Sequence, residues 1–244
     1  MAGARYGMDA PYGFGFVGLI ALGFLVFGLV MSVAEDMAAA MPALVSAALL
    51  AGCLTLSLHA SLRGKFLVWR EVLDGLELRG DERLLDLGCG RGAVLLAAAR
   101  HLPHGQAVGV DLWRVGHQFG NSSAATLWNA RAEGVADRVA VHAGDLRRLP
   151  YAEASFDLVV SSLTVHTIFG RAGRAKAIAE AYRVLRPGGR LVIADLARTP
   201  REYARVLKGL DARDVQVQGL GWRVWWGSPL VPTRLLIACK PGTT

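Results

Sequence analysis

Apolar positions along this chain follow two regimes that meet near residue 63. In residues 14–33 and 38–58 they are almost unbroken, and no Asp, Glu, Lys or Arg interrupts either run. At a rise of 1.5 Å per residue, about 20 such residues match a hydrocarbon layer of about 30 Å. The pattern therefore predicts two membrane-spanning helices that turn at Ala34, Glu35 and Asp36. Beyond residue 63 the apolar runs shorten. Residues 83–88, 107–111, 139–143, 156–162 and 190–195 read as strands, several of them continuously apolar, as in a parallel sheet covered on both faces. Helical stretches at 66–76, 93–102, 124–133 and 174–185 alternate with them, the order of a doubly wound α/β sheet. The tail predicts a helix at 201–210 and two strands, 214–218 and 234–239, joined by a tryptophan-rich connection, 222–226.

The apolar runs admit two other readings. Ser32, Val33 and Ala34 resemble a signal-peptide cleavage site, but the run exceeds the usual length of about 7–15 residues and only Arg5 charges its start. The second run could be a buried core helix, yet the segment after it supplies its own sheet and cover helices. The expected organisation is a membrane hairpin over residues 1–62 and an α/β domain over 63–244.

Residues 84–92 read LLDLGCGRG, and 109–111 read GVD. The glycines fall where a buried strand hands over to its helix, the place where α/β sheets bind nucleotides. Gly88, Gly90 and Gly92 let a ligand lie against the backbone, and Asp111 at the next strand end offers two acceptors to a ribose diol. A dinucleotide fingerprint spaces its glycines more widely and faces a pyrophosphate. Here Asp86 precedes the glycines and would repel a diphosphate, whereas it suits an ammonium group. A nucleoside carrying an amino-acid tail fits, and S-adenosylmethionine is one.

Three later stretches agree: HAGDL at 142–146, FDLVVSS at 156–162 and LRPGGRLVIAD at 185–195. In their joint order these motifs resemble the class I S-adenosylmethionine-dependent methyltransferases, particularly the small-molecule group that includes the ubiquinone and menaquinone C-methyltransferases, from about Phe66 onward. The resemblance implies a Rossmann-like seven-stranded sheet with helices on both faces, here preceded by two transmembrane helices. It also implies cofactor contacts from Asp86, from the backbone of Gly88 and Gly90 to the methionine part, and from Asp111 to the ribose. Asp145 and the Leu146 amide would meet the adenine edge, and Trp113 would stack on the ring. Cys89, Gly92, Leu112 and Ser161 fall within the same cofactor-binding set, with Cys89 as a small filler. No metal is expected.

A sulfonium already carries an activated methyl group, so catalysis can rest on alignment of the acceptor, with optional proton removal. His166 is the candidate base, ahead of Tyr151 and Asp195, while Ser161 and Ser162 could orient an acceptor. The acceptor is expected to be a small molecule, and Phe66 and Trp69 at the membrane end suggest a lipophilic one. The loop 114–123 and the segment 222–229 are the candidate acceptor-binding loops.

Charge places the domain. Residues 1–60 carry only Arg5 against Asp9, Glu35 and Asp36, a net of −2, so the remainder carries +9 to reach the overall +7. Arg5, Arg63, Lys65 and Arg70 flank the spans on one side and no Lys or Arg lies in the turn, which predicts both ends in the cytoplasm. Three cysteines, at 53, 89 and 239, make no disulfide framework. The basic residues are scattered without interleaved aromatics, so nucleic acid is not expected as a partner. A nicotinamide oxidoreductase and a catalytically silent membrane scaffold remain as alternatives.

Overall fold

The computed structural model describes residues 4–9, 11–114 and 118–242. Two long helices, α1 (Pro11–Val33) and α2 (Met37–His59), form an antiparallel hairpin. The turn lies where the sequence places it. Glu35 takes a left-handed conformation there and the Asp36 carboxylate caps α2 by accepting from the Ala39 amide at 3.1 Å. Gly28 of α1 is buried against Leu44, and Ala40, Ala43 and Ala47 form the buried stripe of α2. Small residues at this spacing let two backbones approach closely, the packing that works when the outer faces are apolar. Phe16, Leu19, Phe27 and Val30 point outward from α1 and are each at least half exposed.

The second helix does not end at the predicted boundary. Its backbone passes through a π-helical turn, Ala60–Gly64, directly into α3 (Lys65–Asp74). A Cβ on Gly64 would lie 1.7 Å from the carbonyl oxygen of Arg223, so only glycine permits the tryptophan-rich connection at 222–226 to pack here.

The remaining elements are β1 (Arg83–Leu87), α4 (Ala93–Arg100), β2 (Gln106–Asp111), α5 (Ser123–Ala132), β3 (Val139–Ala143), β4 (Phe156–Ser162), α6 (Arg171–Val184), β5 (Leu185–Leu196), α7 (Thr199–Lys208), β6 (Arg213–Gly219) and β7 (Thr233–Cys239). They build a seven-stranded sheet in the order β3-β2-β1-β4-β5-β7-β6. Strands β1 to β5 are parallel, and β7 runs antiparallel between β5 and β6. Neighbouring residues of the central strands feed opposite cores. Leu84 and Leu158 pack with Leu95 and Leu96 of α4, while Leu85 and Val159 pack with Ile178 of α6 and Tyr203 of α7. Two covered faces explain the unbroken apolar runs, and each fully buried leucine stabilises the fold by about 1.5–3 kcal/mol.

One strand differs from expectation. β5 starts at Leu185 rather than at residue 190, so Pro187, Gly188 and Gly189 lie inside it. Leu185 pairs with Phe156 across an irregular register, and Gly188 and Gly189 exchange backbone hydrogen bonds with Lys240. The proline needs no amide at such an irregularity, which is why a helix-stop signal coexists with strand pairing.

Chain order reverses between β1 and β4, and the crevice at their carboxyl ends is where the site must be sought.

Candidate active site

A cleft of about 460 Å³ opens at that crevice. Its floor is the β1–α4 turn. Gly88 has φ +73°, and a Cβ there would stand 2.1 Å from Thr164 Cγ2, so the turn and the β4 end close on each other only with glycine at this position. The Thr164 hydroxyl donates to the Gly88 carbonyl at 3.2 Å, and the Gly88 amide donates to Val110 at 2.7 Å.

Asp111 fixes the turn from the neighbouring strand end. Its Oδ2 accepts from the Gly90 amide at 2.9 Å and its Oδ1 from the Trp113 amide at 2.6 Å. Each carboxylate oxygen keeps a further acceptor position, and the residue lines the cleft. Asp86 also lines it and is only 1 % exposed. Burial, reinforced by the negative Asp111 and opposed by the Leu95 amide, pushes its carboxyl up to about 8. An approaching cation would restore the anion. Cys89 lies in the same turn, beneath β2, and burial holds its thiol well above the usual range, so it stays protonated.

The adenine-side candidates divide. Asp145 and Leu146 line the cleft, but the Arg147 guanidinium holds Asp145 Oδ1 at 3.0 Å and Oδ2 at 2.6 Å, which keeps its carboxyl below the usual carboxylate range. Trp113 corrects the stacking expectation. It packs against the core cluster beneath α4, its indole nitrogen is buried without a partner, and the half-exposed Leu112 lines the cleft instead. Its φ of +46° is the bend that turns it away from the cleft. Ser161 is a second correction. It is fully buried and donates to the Leu87 carbonyl at 2.8 Å, because alternation along β4 gives the cleft to Ser162. Ser162 accepts from Trp69 Nε1 at 2.9 Å. Gly92 begins α4 against Leu96 and Thr126, behind the cleft.

His166 does line the cleft. Its Nδ1 lies 2.5 Å from Asp195 Oδ1, at the end of β5. Asp195 is wholly buried and also accepts from the His166 amide, the Leu196 amide and the Tyr203 hydroxyl. Four donors around one carboxylate fix the imidazole with Nδ1 engaged, leaving Nε2 as the ring nitrogen available to the cleft. Burial and Asp195 push the Tyr203 phenol up, so it remains a donor. The sequence named both His166 and Asp195 but did not pair them. The signal was present, since adjacent parallel strands β4 and β5 bring their carboxyl ends together. Tyr151 stands apart, against His142 at 3.0 Å.

A polar cluster closes the other end of the cleft, and sequence reasoning missed it. Asp9 accepts from Lys65 Nζ at 2.6 Å and from Gln118 Nε2 at 3.0 Å, and Gln118 Oε1 accepts from the Arg91 amide at 2.9 Å. Arg5 and Tyr6 likewise bind Asn129 and Glu133 of the α/β domain. These contacts join residues 27 or more positions apart, and no local pattern announces them. Of the loop at 114–123, residues 115–117 lie outside the described residues, Arg114 and Asn121 line the cleft, and Phe119 is exposed.

Residues 85–193 match the family described as a methyltransferase domain. Among curated proteins, the ubiquinone/menaquinone biosynthesis C-methyltransferase UbiE of Dinoroseobacter shibae is 34% identical over 134 residues, 54% of this chain and 50% of that protein. The 27-O-demethylrifamycin SV methyltransferase of Amycolatopsis mediterranei is 34% identical over 148 residues, 60% of this chain and 48% of that protein. The chain thus spans about half the length of the curated relatives it matches. The fold is shared with the [4+2]-cyclase SpnF, at TM-score 0.58 and 21% identity, over 71% of this chain and 82% of that one. It is shared too with the geranyl diphosphate C-methyltransferase of Streptomyces coelicolor A3(2), at TM-score 0.55 and 18% identity, over 70% and 78%.

Proposed function

We propose that the chain is an S-adenosylmethionine-dependent methyltransferase that acts on a small lipophilic acceptor and is held in a membrane by the α1–α2 hairpin. The observation that carries the reading is Asp111, tied to the Gly90 amide at the floor of a cleft whose opposite wall presents His166. The residues fit the cofactor. Gly88 leaves the turn bare, Asp86 is a buried carboxyl that a ligand ammonium would ionise, and Asp111 retains acceptors for ribose hydroxyls. When bound, S-adenosylmethionine supplies a methyl group already activated by its sulfonium.

The chain's own residues then have three tasks. Asp86 and the turn backbone orient the methionine part, and Asp111 orients the ribose. Leu112, Leu146 and the backbone near Asp145 border the adenine side. His166 Nε2, with Asp195 holding Nδ1, accepts a proton from the acceptor as the methyl group arrives.

The acceptor half of the cleft is lined by Phe66, Trp69, Ile168, Leu196 and Trp226. Phe66 and Trp69 sit on α3, continuous with the long apolar helix α2. Relatives named for ubiquinone, menaquinone and sterol C-methylation support the lipophilic class. Membrane anchoring is supported by mean hydropathies of 2.6 and 2.0 in the two helices and by only 6% burial of the first, unlike a core helix. The basic residues flanking the hairpin support a cytoplasmic side for residues 63–244, with residues 1–62 as the anchor.

Calorimetry with S-adenosylhomocysteine and NAD side by side tests the cofactor. Binding of the first alone is expected, NAD binding would restore the oxidoreductase reading, and binding of neither would leave a scaffold. A labelled-methyl assay on native membrane extract should then label an organic-soluble product. Label found only in water-soluble products, and retained after removal of residues 1–60, would overturn the lipophilic acceptor.

A further inference from the structure

The connection between β6 and β7 carries Trp222, Trp225, Trp226, Pro229 and Leu230, and residues 224–233 contain no charged side chain. In a soluble protein a solvent-facing loop of this composition is costly. Trp222 is 55 % exposed and Leu230 86 % exposed, so the connection is not a buried plug.

Its position explains the composition. The Trp222 ring stacks on His59, the last residue of α2, with centroids 5.0 Å apart and planes at 21°. Five residues on, Gly227 packs on Ser57 and Cys53, where a Cβ would lie 3.3 Å from Ser57 Oγ and 3.7 Å from Cys53 Cβ. The connection therefore climbs α2 toward its apolar middle. At 1.5 Å per residue, Cys53 lies about 8 Å inside an apolar run that ends at Leu58. The tip is held in that posture by a hydrogen bond from the Trp226 amide to the Val231 carbonyl at 3.2 Å and by the Trp225–Pro232 bridge. Below it, Arg223 grips Glu71 of α3 with two hydrogen bonds of 2.6 and 2.7 Å.

We propose that the 224–232 tip docks into the interfacial layer of the leaflet from which α2 emerges, making Trp226 the wall between that layer and the cleft. The occupant of the exposed apolar tip is the lipid bilayer itself, because the tip is continuous with the apolar surface of α2. Tryptophan on one flank and an apolar tip with an arginine below it is the arrangement expected at a headgroup boundary. Trp226 lines the cleft beside Phe66 and Trp69, so an acceptor leaving the bilayer would pass these rings without crossing water. This inference rests on the membrane-spanning reading of the hairpin.

The test is spin-label depth measurement on the full chain in vesicles of phosphatidylcholine and phosphatidylglycerol. Cys53→Ala and Cys239→Ala remove the accessible thiols, and the buried Cys89 stays. Labels are introduced one at a time by Leu230→Cys at the tip, Leu25→Cys in the middle of α1 and Asp211→Cys on the far side of the domain. Each labelled protein must bind S-adenosylhomocysteine, and Ser228→Cys replaces Leu230→Cys should the latter fail. The tip label is expected to collide with a water-soluble nickel chelate at least fivefold less often than the label at 211, and with oxygen more often. A label at 25 open to the chelate would defeat the membrane-spanning reading and this inference with it. A shielded label at 25 with a tip label as open as that at 211 overturns the docking inference alone.

Discussion

Replacing Asp195 by asparagine probes the proposed base through a residue that does not itself line the cleft. The carboxylate accepts from His166 Nδ1 and the Leu196 amide on Oδ1, and from the His166 amide and Tyr203 hydroxyl on Oδ2. An amide offers one oxygen and one NH2. With the oxygen toward Nδ1, the NH2 faces the His166 amide, and the Tyr203 hydroxyl can turn to accept. One buried backbone donor is then orphaned, at a cost of about 1–3 kcal/mol, and the remaining bonds lose their charge assistance. Together these predict a loss of about 2–4 kcal/mol of stability. At about 2–4 °C per kcal/mol for a domain of this size, a fall in Tm of about 4–16 °C follows.

The catalytic effect is separable from the stability effect. General-base assistance contributes about 10²–10⁴ in rate, and it depends on an imidazole held with Nε2 free and its developing charge matched by the carboxylate. Asp195→Asn should therefore lower kcat for labelled-methyl transfer by at least about 10², measured well below the new Tm. The affinity for S-adenosylhomocysteine should change by less than threefold. His166→Gln should show the same loss, and the double variant no further one, because the pair acts as a unit. A kcat within threefold of the parent in both single variants would refute proton removal by His166 and leave alignment alone as the source of rate.

Further expectations concern the cofactor half. Asp111→Ala removes ribose acceptors as well as the tie to Gly90. At about 1.5 kcal/mol or more per bond to a charged group, S-adenosylhomocysteine affinity by calorimetry should fall by about two orders of magnitude. Gly88→Ala combines a strained positive φ with overlap on Thr164. A stability loss of about 2–5 kcal/mol in denaturant titration is expected, and unchanged stability would mean that the turn and β4 end are not closed on each other. Asp86 makes the unliganded protein pH-dependent. Its folded value, about 8, lies above its unfolded value near 3.8, so the folded state holds the extra proton between them and stability falls as pH rises through that window. Asp86→Asn should flatten that slope in thermal melts. S-adenosylmethionine binding by the parent should release a proton in buffers below about pH 8.

The α/β domain was largely legible in the sequence because both faces of its sheet are covered. Continuous runs such as 156–162 can hardly be anything but central strands, and the structure keeps all seven, with only β5 starting well ahead of its predicted bound. The hairpin was legible from the absence of charge alone. What escaped was anything decided by register or by distant segments. Whether Ser161 or Ser162 faces the cleft turns on a one-residue alternation that an all-apolar strand does not display. Whether Leu112 or Trp113 faces it turns on a single left-handed backbone angle. The Asp9–Lys65–Gln118 cluster depends on a segment ahead of the hairpin folding back over the cleft, which only tertiary packing decides.

That fold-back bears on how the hairpin and the cleft are related. Asp9 precedes α1, Lys65 follows α2, and Gln118 holds the amide of Arg91 in the glycine-rich turn. Both ends of the hairpin are thus tied to the cofactor end of the cleft, while the β6–β7 connection ties its flank to the acceptor end through Trp226. A hairpin that served only to localise the domain would need one flexible link and no fixed geometry with the cleft walls. Here α2 runs into α3 without a flexible break, Gly64 is closed on Arg223, and the walls that would meet an acceptor are extensions of the hairpin. Removal of residues 1–60 should therefore cost more than location. It would strip Asp9 from Lys65 and bare the faces of Trp222 and Gly227 that now rest on α2, so that the truncated domain loses acceptor turnover even when the acceptor is supplied in detergent.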